Sequence, residues 1–297
     1  MSTQSVGGWS ADADSDFRVV ADVHKKLPAG TYRVWISGAT GNKYFHLLPN
    51  PTDAIADLPG LPSRYLLDQI NFFWSQQAVY ERYHFLHKRG ILMYGPPGCG
   101  KTSLINLLIA DFLRKYDGIV VAISDFDTAP KCLLDLRRAE PDRPIMTLME
   151  DVEGIFAGQN GPTQVQAALA FLDGQTQLSH IVHVATTNAP ETLADRFIKR
   201  PGRFDLVIGI HAPLAETREA YLRLVSGNQI SEEKLQEMVM LTEGMGLSYL
   251  RELASTHLCL NIPLAETLDR LKTNFKVKAF LSKGTPKMGF SIGFDGE

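Results

Sequence analysis

The sequence predicts an α/β fold in which a parallel sheet carries helices on both faces, followed by a helical lid and preceded by a small β-rich unit. Three observations predict it. From Ile91 onward, short apolar runs alternate with amphipathic helical patterns, the mark of parallel strands joined by crossover helices. After Pro213 the strand-like runs stop and four helical patterns follow. Before residue 50, β-prone runs are separated by turn signals.

Residues 1–16 (MSTQSVGGWSADADSD) are polar and acidic without an apolar period, which predicts a disordered tail. FRVVADVH, TYRVWIS and KYFHLLP, separated by LPAG and GATGN, predict a small antiparallel unit over about 17–49. With the linker PTDAIADLPGLP it makes a first unit, 17–60. YLLDQINFFWSQQAVYERYHFLHK reads as helix leading into the next domain. The α/β core spans 61–212, with ILMY, IVVAIS, IMTLM, IVHVAT and LVIGI as its strands. Helical patterns near 214–226, 231–242, 247–258 and 263–275 predict a lid over 213–283. The tail 284–297, with KMGFSIGFDGE, either adds a short strand or stays loose.

Composition narrows the function classes. The chain has 297 residues, 44% of them hydrophobic, which suits a globular protein with substantial cores. A net charge of −3 and the lack of any run of five Lys/Arg leave nucleic acid open as a partner without favouring it. Three well-separated cysteines, Cys99, Cys132 and Cys259, suggest neither a disulfide framework nor a zinc site, so a reducing cytoplasm is the expected setting. No stretch approaches the ~18 apolar residues of a membrane span, so no membrane partner is expected.

GPPGCGKTS (Gly95, Pro96, Pro97, Gly98, Cys99, Gly100, Lys101, Thr102, Ser103) lies between a strand-like run and an amphipathic helix. That is the context of a phosphate-binding loop. Its glycines let successive backbone N–H groups curl around phosphate oxygens at a helix N-terminus. Lys101 then neutralises β/γ-phosphate charge and Thr102 offers a hydroxyl to Mg²⁺, so ATP and Mg²⁺ are the expected cofactors. IMTLM delivers Glu150 and Asp151, with Glu153 close behind, to the carboxyl edge of the sheet. Glu150 falls where an Mg²⁺-organising carboxylate belongs and Asp151 where a water-polarising one belongs, with an exchange of the two roles left open. The bland alternative is that both acids cap the next helix. IVHVATTNAP ends near Asn188, which either orients a lytic water or belongs to a simple Asn-Ala-Pro turn. Arg200 and Arg203 flank a Pro-Gly turn, where they would also complement a helix dipole.

In this order and at these separations, GPPGCGKTS, the strand with its acids, ATTN and RPGRFD resemble the AAA subfamily of AAA+ ATPases. KRGILMYGPPGCGKTS, LMEDVEGIF, LAFLDG and IKRPGRFD are most similar to the branch typified by the mitochondrial Rieske-protein translocase. The resemblance covers about residues 70–260. It implies a P-loop AAA+ core in a homo-oligomeric ring, a hexamer, with Asn188 as sensor 1 and with Arg200 and Arg203 as fingers reaching the ATP of the next subunit. Glu150–Asp151 reverses the usual Asp-Glu order, as in that branch, and no counterpart of that branch's membrane anchor is expected among these residues. The implied activity is that of an ATP-hydrolysing ring motor that remodels or translocates a protein client. A DNA-associated loader and a slow ATP-dependent assembly switch are the alternatives.

Four lesser candidates remain. Arg251 in GLSYLREL sits where some branches place a second sensor arginine. Phe126, after IVVAIS, is either a channel aromatic or part of the core. His84 and His87 share a helical spacing without a third ligand nearby, which favours packing over metal binding.

Overall fold

The computed structural model describes residues 8–11, 16–20, 26–49, 57–157, 161–193, 197, 200–227, 229–274 and 290–293. Most of the expected N-terminal tail, residues 50–56 of the linker, the end of the lid beyond 274 and most of the C-terminal tail lie outside these residues.

Ten strands form one sheet. They are β1 (Gly8–Ala11), β2 (Asp16–Val20), β3 (Gly30–Ile36), β4 (Lys43–Leu47), β5 (Lys88–Tyr94), β6 (Ile119–Ala122), β7 (Ile145–Met149), β8 (Ile181–Thr187), β9 (Leu206–Ile210) and β10 (Phe290–Gly293). Their order is β1-β2-β4-β3-β6-β7-β8-β5-β9-β10. The run from β3 through β9 in that order is parallel, and the outer pairs are antiparallel.

Side-chain parity explains why the central strands read as unbroken apolar runs. In β7, Ile145 and Met149 enter one core and Met146 and Leu148 the other. In β8, Ile181 and Ala185 face the first core and Val182 and Val184 the second. Both faces are covered, so neither strand keeps a polar face.

The second core is roofed by α1 (Ser63–Ser75) and α3 (Lys101–Tyr116), through Leu66, Ile70, Phe73, Trp74, Leu104, Ile105, Leu108 and Phe112. A short α2 (Gln77–Arg82) follows α1. Asp117 ends α3 in a left-handed conformation, and Arg114 and Lys115 in the last turn complement the helix dipole. The first core is covered by α4 (Ala129–Ala139), α5 (Val152–Ala157) and α6 (Gly161–Leu172).

The lid comprises α7 (Ala215–Ser226), α8 (Glu232–Leu241), α9 (Leu247–Cys259) and α10 (Leu264–Asn274). Ser231 caps α8 by accepting the Lys234 N–H, and Glu232 and Glu233 occupy its first turn. The lid has its own core, which includes Leu222, Met238, Leu250, Leu253 and Leu268 and takes in Leu58 from the segment before α1.

Two findings modify the sequence expectations at the N-terminus. Gly8–Ala11, within the expected disordered tail, form β1 against β2. Composition misses this because a neighbouring strand supplies the backbone partners. The strands β1–β4 also extend the central parallel sheet itself, since β3 pairs in parallel with β6 from Gly30↔Ile119 to Arg33↔Ala122. A buried clasp reinforces the join: Glu140 accepts the Leu27 N–H at 2.7 Å, and Arg143 bonds Glu140 at 2.9 Å and the Leu27 carbonyl at 3.1 Å.

Phe126 belongs to the core and not to an open channel. It is 3% exposed, and its ring lies 6.3 Å from Phe156 and 6.1 Å from Phe171. Gln164 fixes the backbone there by accepting the Phe126 N–H at 2.7 Å and donating to Asp127 at 2.8 Å. The aromatic turns inward because the first core offers it two ring partners, while half-buried Asp125 accepts the Asp127 and Thr128 N–H groups and Asp127 is exposed. Phe126→Ala should therefore lower unfolding free energy by about 3–5 kcal/mol in denaturant titration. Wild-type stability would place the ring in the open.

Candidate functional site

The phosphate loop links the end of β5 to the start of α3. Gly95 has φ 149°, and a Cβ there would stand 1.9 Å from the Ile210 carbonyl oxygen. Only glycine lets the loop leave the sheet so close to β9. Gly98 has φ 78°, and a Cβ there would meet Ser248 Oγ at 2.1 Å. Ser248, in the first turn of α9, donates its N–H to the Gly98 carbonyl at 3.1 Å. The lid thus touches the loop directly.

Lys101 is 6% exposed and folds over the loop. Its Nζ donates to Gly95 O at 2.6 Å, Pro96 O at 3.0 Å and Asn188 Oδ1 at 2.7 Å. Burial lowers its pKa, with Cys99, Asp151 and Glu153 opposing the shift. A buried ammonium held by carbonyls and an amide gains from an anion placed beside it. Thr102 and Ser103 are exposed in the first turn of α3, where free N–H groups and the helix dipole favour phosphate. Cys99 is buried among apolar neighbours, and burial pushes its thiol up.

Glu150 and Asp151 follow β7 but serve different directions. By parity Glu150 continues the Leu148 face, which is the α3 side carrying Thr102. It also lines an open cavity of about 370 Å³ with Ser124, Leu148 and Gly154. Partial desolvation, then the Asp151 charge, raises the carboxyl of the solvent-exposed Glu150 above its usual range. At Asp151 the chain turns through φ 46°, and its N–H donates to Thr186 Oγ1 at 3.1 Å. That turn carries the Asp151 carboxylate to Asn188, whose Nδ2 donates to it at 2.6 Å. A lysine only donates and a carboxylate only accepts, so these partners fix the orientation of the Asn188 amide.

Lys101, Asn188 and Asp151 therefore form one connected set, and the exposed Thr102 and Glu150 share a face. These groups fit a nucleotide with Mg²⁺, an ion that needs few protein ligands beside phosphate oxygens. Among the described residues no cluster of three His, Cys, Asp or Glu could hold a metal by itself.

Arg200 and Arg203 are treated differently by the fold. Arg203 is 3% exposed and grips Asp173 with two bonds of 2.7 Å. Those bonds hold the Asp173 carboxyl below its usual range. Arg200 is exposed and lies 3.4 Å from the same carboxylate. The sequence reading placed Glu153 beside the other acids and Asp173 within LAFLDG but assigned neither a partner. The ion pair of Asp173 with Arg203 becomes visible only when the distant arginine is placed beside it.

Arg251 is exposed on α9, three residues beyond Ser248. His87 is buried, stacked 4.0 Å from the Phe73 ring and 2.9 Å from His180, so it packs the base of the sheet. His84 is exposed.

Residues 91–212 match the ATPase family associated with various cellular activities (AAA). An "AAA ATPase forming ring-shaped complexes" of Corynebacterium diphtheriae is 28% identical over 223 residues, covering 64% of this chain and 42% of that protein. An "ATP-dependent zinc metalloprotease FtsH" of Aster yellows witches'-broom phytoplasma is 33% identical over 172 residues, covering 52% and 25%. A "probable mitochondrial chaperone bcs1" of Schizosaccharomyces pombe is 29% identical over 183 residues, covering 59% and 40%. The chain spans less than half the length of these curated relatives.

Lys101→Ala should abolish tight Mg-ATP binding in calorimetric titration, because it removes the loop's cation. Wild-type affinity would remove this loop from nucleotide binding. The phosphate loop and the connected lysine, asparagine and aspartate all lie within residues 91–212, the stretch that matches the AAA family.

Proposed function

We propose that this chain is an Mg²⁺-dependent ATPase that works in a homo-oligomeric ring, a hexamer, and remodels or translocates a protein client. The observation that carries the reading is the Asn188 amide, 2.7 Å from Lys101 and 2.6 Å from Asp151. It joins a phosphate-binding cation to a carboxylate able to polarise water.

In this reading the N–H groups of Gly95–Ser103 and the Lys101 ammonium bind the phosphates. Thr102 and Glu150 would hold Mg²⁺, which supplies electrostatic shielding of the phosphate oxygens when bound. Asp151 orients the attacking water and takes its proton, while Asn188 sets the distance between that carboxylate and the phosphates. Arg200, exposed beside Asp173, reaches the ATP of the next subunit. Arg203 keeps its burial and its grip on Asp173, and so fixes the loop that presents Arg200. Support for the ring comes from relatives named as forming ring-shaped complexes. Support for a protein client comes from relatives named as a chaperone and as a protease. No helix among the described residues is long and apolar enough to cross a membrane.

Two isosteric substitutions test the acids. Asp151→Asn keeps an acceptor for Asn188 and should leave ATP bound while slowing hydrolysis by about 10²- to 10⁴-fold. Glu150→Gln should weaken Mg²⁺ dependence and nucleotide binding together. The reverse pattern would exchange their roles, and normal turnover in both would place the chemistry elsewhere.

The trans role is tested by mixing Arg200→Ala with Lys101→Ala. Mixed rings should regain activity at junctions joining an intact loop to an intact Arg200. If mixing restores nothing and specific activity is independent of protein concentration, Arg200 does not act between subunits.

A further inference from the structure

Asn188 is held at three points, and they differ in how long they can last during turnover. Its Oδ1 accepts from Lys101 at 2.7 Å, its Nδ2 donates to Asp151 at 2.6 Å, and its backbone N–H donates to Glu153 Oε1 at 2.9 Å. A lysine that serves the phosphates has to leave the amide oxygen. A carboxylate that polarises water divides its lone pairs between that water and Asn188. The Glu153 contact competes with neither task, because it is made to the backbone.

We infer that Glu153 is a positioning residue for ATP hydrolysis: by accepting the Asn188 N–H it keeps the end of β8, and the Asn188 amide with it, in place when Lys101 turns to the phosphates. The inference rests on the ATPase reading above and deepens it. A positioning group must itself be fixed. Glu153 stands in the first turn of α5, directly after the Asp151 turn, where the Gly154 N–H donates to Asp151 O at 2.8 Å. Phe156 on the same short helix stacks on Phe197 at 4.9 Å and faces Phe126 at 6.3 Å, which pins the helix against the first core. Burial raises the Glu153 carboxyl, but hydrogen bonding, led by the Asn188 N–H, outweighs it and holds it below its usual range. It is therefore an ionised acceptor at neutral pH, and a hydrogen bond to an ionised acceptor is among the stronger ones.

The test is steady-state ATPase activity of the full chain as wild type, Glu153→Ala and Glu153→Gln, with Mg-ATP affinity and thermal melting measured on the same preparations. Glu153→Ala should lose about 10- to 100-fold in kcat while its Mg-ATP affinity stays within about threefold of wild type. Glu153→Gln keeps an oxygen for the Asn188 N–H and should recover most of the lost kcat with an unchanged pH–rate profile. Wild-type kcat in Glu153→Ala overturns the inference. So does a Glu153→Gln as inactive as Glu153→Ala, since the charge and not the acceptor would then matter. A loss in Glu153→Ala that is matched by falling affinity or melting temperature also overturns it. If the wild type itself hydrolyses no ATP, the ATPase reading fails instead.

Discussion

Strands buried on both faces can hold an ionised group only at their ends, and this constraint places everything else in the molecule. All five residues of β7 and all seven of β8 are buried. The polar pair between them shows the constraint at work: Thr147 and His183 satisfy each other at 2.7 Å, and burial drives the imidazole pKa down to about 3, so it stays neutral. Charges therefore wait until the last strand residue has passed. Register then decides which of them meet. Met149 pairs with Ala185 and Tyr94 with Thr187, so β7 ends before β8 does. Asp151 is consequently level with the end of β8, beside Asn188 and under the phosphate loop.

Among the described residues four cations are buried, Lys101, Arg143, Arg203 and Arg218, and their partners differ. Arg143 is locked by Glu140 and the Leu27 carbonyl, and Arg203 by two short bonds to Asp173. Removing one partner from such a pair strands the other, at a cost of about 3–5 kcal/mol, so both are fixed joints. Lys101 has no carboxylate in contact. It rests on two carbonyls and an amide, neutral acceptors that a phosphate can replace with a stronger contact. Arg218 also rests on carbonyls, those of Pro213 and Val239, at the foot of the lid, whereas Lys101 is the one whose neutral partners belong to the phosphate loop and the end of β8.

The central strands, the phosphate loop and the lid helices were legible because each leaves a local trace: an apolar run, glycines between strand and helix, or a 3.6-residue period. Phe126 was not, because a single aromatic between two aspartates has no period, and its inward turn depends on Phe156, Phe171 and Gln164 from other elements. The strand at Gly8–Ala11 was hidden for a similar reason. Nor could spacing separate Arg200 from Arg203. Three residues apart on one loop, they differ because only Arg203 meets Asp173 squarely, thirty residues away in sequence. The role of Glu153 was equally non-local, resting on a backbone N–H at the end of another strand.

Ladder continuity also bears on how work would be transmitted under the proposed function. The N-terminal strands join the central parallel sheet through the β3–β6 ladder and the Glu140–Arg143 clasp, so they share its rigidity. The lid is attached more lightly. At the phosphate loop its contact is the Ser248–Gly98 bond with the packing of Leu247 on Gly100, and before α1 it takes Leu58 into its core and bonds Pro59 O through Thr217 at 2.6 Å. Breaking a single backbone bond costs about 0.5–1.5 kcal/mol net, far less than parting a strand ladder. Displacement by nucleotide would therefore fall between lid and loop, while the sheet and its N-terminal extension move as one piece.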